Sequence, residues 1–466
     1  MARMRGWGLA VLALCAFAAS AQEEDSLGGR AVRYLTDLIR LDTSNPPGNE
    51  TRVAEYLKEV AARYDIPAEL FGDDSARLSF VARLRGNGSA RPLLLMAHSD
   101  VVPADRAQWT VDPFAAETRN GEIYGRGAQD DKNLLAAELA VLVELKLRGV
   151  ALKRDVILLA EADEEAGSTG IRWMIENAFD AIDAEAALNE GGIAQDLPSG
   201  ARLFQIQTAE KIPTRVVLTA RGSAGHASLP RPDNAILRLA RALTRLDTDQ
   251  PVRLNPTTRR YFARLATLPD YLWLAPLIPR LERSSSAQAA AAEIRAREPE
   301  LDAQLRTTIS PTMLSAGIKI NVIPSAAEAR VDVRRLPDES REEVLERIRR
   351  LIADPLIEVT PEPGPGMPAT PPSPAEGPIY RAMERVLAAS APRAVVVPYM
   401  ARGATDGAYL RAKGMPVYGL PLFLKENHDG RPHGHDERIS EANFTAGVEL
   451  LWRIVLAAAA DEAGAQ

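Results

Sequence analysis

The chain has one cysteine in 466 residues, Cys15, and that cysteine lies in an N-terminal stretch that reads as removable. Arg3 and Arg5 open the stretch, "LAVLALCAFAA" is an apolar run of secretory-signal length, and "ASAQ" sets the small residues Ala19 and Ala21 before a cleavage point. These features predict a signal peptide over residues 1–21, cleaved after Ala21, and a secreted or periplasmic mature protein. The alternative, an uncleaved anchor, needs a longer apolar run. Leu14 precedes Cys15 where a lipid-modified cysteine wants a small residue. Cleavage removes two arginines, takes the formal charge from −7 to −9, and removes the only thiol. The mature chain then forms no disulfide, and any metal must be held by His, Asp and Glu.

Histidine is also scarce, at five residues: His98, His226, His428, His433 and His435. Long basic runs are missing, so nothing invites nucleic acid. No internal repeat is evident. The remaining composition, 46% hydrophobic and 26% charged, is that of a soluble globular protein. Its length predicts two domains rather than one core.

Strands alternate with helices in the first part. Ala31–Leu41 and Thr51–Arg63 read as helices, with the turn "DTSNPPGNE" before the second. "ARLRGNGSARPLLLMAHSD" reads as a hairpin with Gly-Asn-Gly at its tip. Asn133–Arg148 reads as a long amphipathic helix, while Val156–Ala160 and Glu185–Gly192 supply further strands. This alternation argues an α/β domain around a largely parallel sheet. From residue 214 the pattern changes to an α+β module with a long apolar stretch, "YFARLATLPDYLWLAPLIPRLE". The Pro-rich segment "PEPGPGMPATPPSP" then returns the chain to α/β patterning. The expected organisation is a catalytic domain over 22–213 and 371–466, an inserted module over 214–362 and a linker over 363–370.

Chemistry concentrates where apolar strands end. In "DVILLAEADEEAGSTG" a buried strand runs straight into Glu161, Asp163, Glu164 and Glu165. Two ionised carboxylates about 4 Å apart repel by roughly 4 kcal/mol at an effective dielectric near 20. His98 and Asp100 end a second strand, Glu190 ends a third, and Asp130 and Asp131 precede the long helix. Singly, each acid reads as a helix cap or a solvated loop residue. Together they line the edge where a parallel sheet presents its ligand site, and a dication relieves the repulsion. Histidine among the carboxylates favours zinc over magnesium or calcium.

The motifs "TSNPPGNE", "LLLMAHSDVVPAD", "WTVDPF", "IYGRGAQDDK", "EADEEAGSTG", "LNEGG", "GSAGHAS", "NVIPSAAEARVDVR", "RGATDGAYL" and "HGHDERIS" carry a resemblance spanning nearly the whole mature chain. The sequence resembles the M20 zinc exopeptidases: carboxypeptidase S, glutamate carboxypeptidase, aminoacylase and succinyl-diaminopimelate desuccinylase. "WTVDPF" and "RGATDG" are most similar to the carboxypeptidase S branch. The resemblance implies a mostly parallel α/β catalytic domain with an inserted lid or dimerisation domain. It implies two zinc ions per subunit held by His98, Asp130, Glu165, Glu190 and His433, with Asp130 bridging. Asp100 would orient His98, and Glu164 would be the general base. His435 rivals His433, because "HGHDE" departs from the usual His-Gly-x-Asn-Glu. His226, which a partner subunit would supply if the chain is a homodimer, would donate to the oxyanion. Asn321, Arg334 and Gly403 would bind substrate, and His428 reads as a pocket-rim residue.

The activity implied is hydrolysis of an amide next to a free carboxylate, foremost as a carboxypeptidase acting on peptides. The alternative is an N-acyl-amino-acid amidohydrolase. A non-catalytic metal- or peptide-binding protein is the reading from another class, and an unliganded Glu164 argues against it. "YLWLAPLIP" reads as lid core in preference to an acyl-chain site.

Overall fold

The computed structural model describes residues 25–364, 366–426 and 430–461. The predicted signal peptide, Cys15 and His428 lie outside the described residues. The chain divides into two compact units. Among the described residues, unit 1 takes those within 25–206, Pro374–Val396 and 415–461, and unit 2 those within Gln207–Ser373 and Val397–Gly414.

Unit 1 is built on a mixed sheet of β1 (Ala68–Phe71), β2 (Ser79–Leu84), β3 (Leu93–His98), β4 (Val156–Glu161), β5 (Ala186–Asn189), β6 (Arg202–Glu210), β7 (Ala394–Ala401) and β8 (Val417–Gly419), with β6 counted in this unit only through Ile206 and β7 only through Val396. Their order is β1-β2-β4-β3-β5-β8-β6-β7, with Ile193–Asp196 paired to β6. The centre β4-β3-β5-β8 is parallel, while β1/β2 and β2/β4 are antiparallel. Every residue of β3 and β4 is buried, which suits apolar runs that must bury both faces. Their register sets His98 opposite Glu161, so both strands end at one edge.

The hairpin expected across Gly-Asn-Gly does not form, because β4 lies between β2 and β3. A strand buried on both faces needs a neighbour on each side, and that demand overrides a local turn signal. The Gly-Asn-Gly segment instead runs along the chain entering β4, with Asn87 N donating to Leu152 O at 2.8 Å and Ala90 N to Lys153 O at 3.0 Å.

The helix read as amphipathic is not. Of α2 (Lys132–Leu147), all residues through Leu145 are buried, since it packs on β3 and β4 with α1 (Leu27–Arg40) and α3 (Glu441–Ala459) against it. Of its polar residues, Glu144 pairs with Arg30 of α1, while the buried Glu138 carboxylate oxygens have no hydrogen-bond partner. Helix α3 is long and apolar enough to cross a membrane by length and composition, yet its apolar residues from Phe444 to Ala459 join this same core.

Unit 2 holds an antiparallel sheet in the order Thr308–Ala316, Ala326–Arg335, Ile212–Arg221 and Ile357–Pro361. Helices Ala235–Leu246 and Arg341–Ile352 cover its apolar face through Val216, Leu218, Val331, Val333, Leu239 and Ile348. The stretch over 256–281 forms short helices whose Tyr261, Phe262, Leu265, Leu274 and Leu281 are buried. Residues 397–414, which the sequence places with the first domain, belong to this unit. Buried Arg411 pairs with Glu210, and Lys211 N donates to Ala401 O at 2.9 Å.

Candidate metal centre

Strand β3 ends at His98, which is 1% exposed. Its Nδ1 faces the Asp100 carbonyl oxygen at 3.0 Å, an acceptor, so the ring hydrogen sits there and the Nε2 lone pair is free to ligate. Nε2 lies 3.0 Å from Asp130 Oδ1 and 3.9 Å from Glu190 Oε1. Glu190 follows directly on β5. Asp130 precedes α2, and its Oδ2 lies 3.2 Å from His433 Nε2, which is 3.0 Å from Glu165 Oε1. The ligand-type atoms therefore form two groups that share Asp130: His98, Asp130 and Glu190, and Asp130, Glu165 and His433. The sequence-predicted ligands come together, with His433 rather than His435 in the second group. His435 is exposed on the same loop.

The electrostatics follow from this crowding. Burial drives His98 toward neutrality, but bonds to Asp100 and Asp130 and the charges of Glu164 and Glu190 raise it well above the ordinary imidazole value. Asp130 and Glu165 push His433 up to about 10. Burial disfavours the Asp130 anion, yet the two imidazoles hold its carboxyl below the usual range. The same crowding of carboxylates that raises the two imidazoles is negative charge that a dication would neutralise. Two Nε2 atoms and three carboxylates, with one carboxylate common to both groups, fit a pair of zinc-like ions.

Asp100 faces both His98 and the acidic turn. Its carboxylate is 3.6 Å from His98 Nδ1, while its two oxygens accept the backbone amides of Glu164 and Glu165, each at 3.1 Å. It thus fixes the turn that carries the predicted base and the neighbouring ligand. Asp163 closes that turn, accepting Ser168 N at 2.6 Å on its carbonyl and Thr169 Oγ1 at 2.5 Å on its carboxylate.

Two further residues hold the site without having been singled out in the sequence. Buried Glu437 accepts Gln129 N at 2.7 Å and Asp130 N at 3.2 Å and pairs with Arg126, which also donates to Gly434 O at 3.0 Å. Gln129 Nε2 donates to the carbonyls of Gly430 and Arg438, each at 2.6 Å, so the His433 loop is strapped to the Asp130 segment. Asn45 joins Asp100 to Asp163. Both residues lie inside quoted motifs, "HGHDERIS" and "TSNPPGNE", which was their only signal.

The remaining candidates lie in unit 2. His226 is exposed on a two-stranded ribbon opposite Val322, with Nδ1 2.7 Å from Ser228 Oγ, and Ala227 N donates to Asn321 O at 3.1 Å. Arg334 is on Ala326–Arg335, with its Nε donating to Asp332 Oδ1 at 3.1 Å. Gly403 has open space around its α-carbon, and Thr405 in the same loop donates to buried Glu210 at 3.1 Å.

A family profile described as Peptidase family M20/M25/M40 matches residues 94–457. N-fatty-acyl-amino acid synthase/hydrolase PM20D1 of Xenopus tropicalis is 31% identical over 90% of this chain and 83% of its own. Probable carboxypeptidase S-like 2 of Dictyostelium discoideum is 28% identical over 87% and 76%, and human aminoacylase-1 is 29% identical over 92% and 95%. Among solved structures, the M20 family metallo-carboxypeptidase Sso-CP2 of Sulfolobus solfataricus has a TM-score of 0.69 at 21% identity, covering 91% of this chain and 98% of that one. The Bacillus subtilis YXEP protein, titled a dinuclear metal binding peptidase, has a TM-score of 0.60 at 17% identity, covering 92% and 98%. The chain belongs to peptidase family M20/M25/M40 and is a metallohydrolase.

Proposed function

We propose that this protein is an exported di-zinc hydrolase that cleaves an amide bond next to a free carboxylate. The observation that carries the reading is the Asp130 carboxylate shared between the His98 and His433 groups. When bound, zinc lowers the pKa of a coordinated water and polarises a carbonyl. Glu164, anchored through its amide to Asp100, takes the proton of the attacking water and passes it to the leaving amine. His98, Glu190, Glu165 and His433 would each hold one ion, and Asp130 would be common to both. His226 donates to the developing oxyanion, while Asn321 and Arg334 hold the substrate carboxylate and Gly403 supplies a backbone donor. Support for the first pair of these roles is that Ala227 N, next to His226, donates to Asn321 O at 3.1 Å.

N-acyl amino acids are the favoured substrates. Relatives named as an N-fatty-acyl-amino acid synthase/hydrolase and as aminoacylase-1 align along about nine-tenths of the chain, which turns the balance from the peptidase expectation. Release of C-terminal residues from peptides is the second reading, supported by the carboxypeptidase S-like relative. Export rests on the residues of the N-terminal stretch, and a homodimer through unit 2 on its outermost strand, where Met313 and Leu314 are exposed. The test is hydrolysis by zinc-loaded protein of N-acetyl- and N-oleoyl-leucine against Leu-Leu and longer peptides. A higher kcat/KM on the acyl amino acids supports the first reading and a higher value on peptides the second. Hydrolysis that survives exhaustive chelation defeats both.

A further inference from the structure

One side-chain nitrogen of Asn45 serves two carboxylates. Buried Asn45 Nδ2 donates to Asp100 Oδ2 at 2.7 Å and to Asp163 Oδ1 at 2.8 Å. These two acids bracket Glu164: Asp100 accepts its amide and that of Glu165, while Asp163 precedes it and closes the turn. Arg77 completes the arrangement. Its Nη2 lies 2.7 Å from Asp163 Oδ1, and its Nε and Nη2 fork onto the fully buried carboxylate of Glu50 at 3.1 and 2.7 Å. Burial would protonate Asp163, but bonds from Thr169, Asn45 and Arg77 hold its carboxyl below the usual range. Asp100 stays low for like reasons, through His98, Asn45 and the Glu165 amide.

An amide NH₂ and a guanidinium donate hydrogen bonds and do not ligate cations. Neither residue belongs to the two ligand groups. Their placement makes sense as alignment: they join the acids on either side of the turn, so that turn has one seating relative to His98.

We propose that Asn45 and Arg77 are positioning residues that seat Glu164 for proton transfer by locking Asp100 and Asp163 on either side of it. The inference rests on the reading of Glu164 as the base. It assigns the loop "TSNPPGNE" a role in turnover rather than in metal or substrate binding.

The test uses the zinc-loaded full chain and compares Asn45→Ala, Arg77→Lys and Glu164→Gln for kcat, KM, zinc content and melting temperature. Asn45→Ala is expected to lower kcat about 100-fold, as for a misplacement of order 1 Å. KM should stay within about twofold and zinc at two per chain, since binding is untouched. Arg77→Lys keeps the charge and loses the fork, so kcat falls by roughly 10-fold, and it carries the test if Asn45→Ala does not fold. A lowered melting temperature with wild-type kcat overturns the proposal, and so does loss of zinc. If Glu164→Gln is inactive while Asn45→Ala turns over normally, this inference fails alone. If Glu164→Gln turns over normally, the base assignment fails and takes the inference with it.

Discussion

Asp130 stands between two imidazoles, with Oδ1 3.0 Å from His98 Nε2 and Oδ2 3.2 Å from His433 Nε2. Each ligand group depends on this one carboxylate, whereas His433 serves only one of them. Asp130→Ala is therefore expected to strip both ions, and His433→Ala to strip one. Metal analysis after dialysis checks this: equal losses in the two variants would contradict a shared ligand. His433 is also the outer member, with its side chain 54% exposed, so its ion should exchange first with a chelator.

Glu138 gives a pH signature for stability. It lies midway along α2, fully buried, where burial raises its carboxyl well above the ordinary value. A folded pKa above the unfolded one means that the native state binds the extra proton. The stability this lends is complete below the unfolded value near 4.5 and is lost as pH rises toward the folded value. Glu138→Gln removes that loss. The variant should gain little in melting temperature at pH 4.5 and progressively more by pH 8. A gain that shrinks with rising pH would mean that Glu138 is charged in the native state.

The strands that carry the site were legible because their signals are local. β3, β4 and β5 are short apolar runs, and each leads straight into His98, Glu161 or Glu190. What the sequence hid depends on partners far along the chain. Glu138 and Glu144 lie in a helix that reads as amphipathic, and only the fold brings Arg30 to Glu144 and the end of α1 to Lys132. Asn45 finds Asp163, and Glu437 finds Arg126, across separations that no periodicity encodes. The His226, Asn321 and Arg334 assignments came from resemblance alone, and they sit in the other compact unit.

Lys132 closes the end of α1 from inside. Its ammonium donates to Leu38 O at 3.0 Å, which also accepts Leu41 N, and to Leu41 O at 2.6 Å, a carbonyl just past the helix C-terminus. Burial lowers the amine to about 7, so the cap is costly to keep charged and is strong while it is. Gly127, at φ +92, clears its path: a Cβ there would stand 2.9 Å from Lys132 Cδ. Lys132→Met should destabilise unit 1 by roughly 2 kcal/mol, the scale of a lost charged hydrogen bond and an unsatisfied acceptor. Thermal unfolding of the metal-free chain separates this from any effect through Asp130.

Gly170 tests whether the acidic turn is held by close packing. A Cβ at this position would lie 2.3 Å from Ala162 O and 2.9 Å from Ala162 N, backbone atoms that cannot swing aside. Ala162 directly precedes Asp163, Glu164 and Glu165, so Gly170→Ala must push that turn away from the helix Thr169–Asn177. Overpacking of this kind costs about 1–3 kcal/mol. Because Glu165 moves with the turn while His433 is tied to the Gln129 segment, their 3.0 Å pairing opens and the second metal group weakens. Gly377→Ala is the control, as its Cβ meets only Tyr418 OH at 3.6 Å. Chelator competition should show zinc loss in Gly170→Ala and wild-type retention in Gly377→Ala; equal retention in both would mean that the turn holds its geometry without help from Gly170.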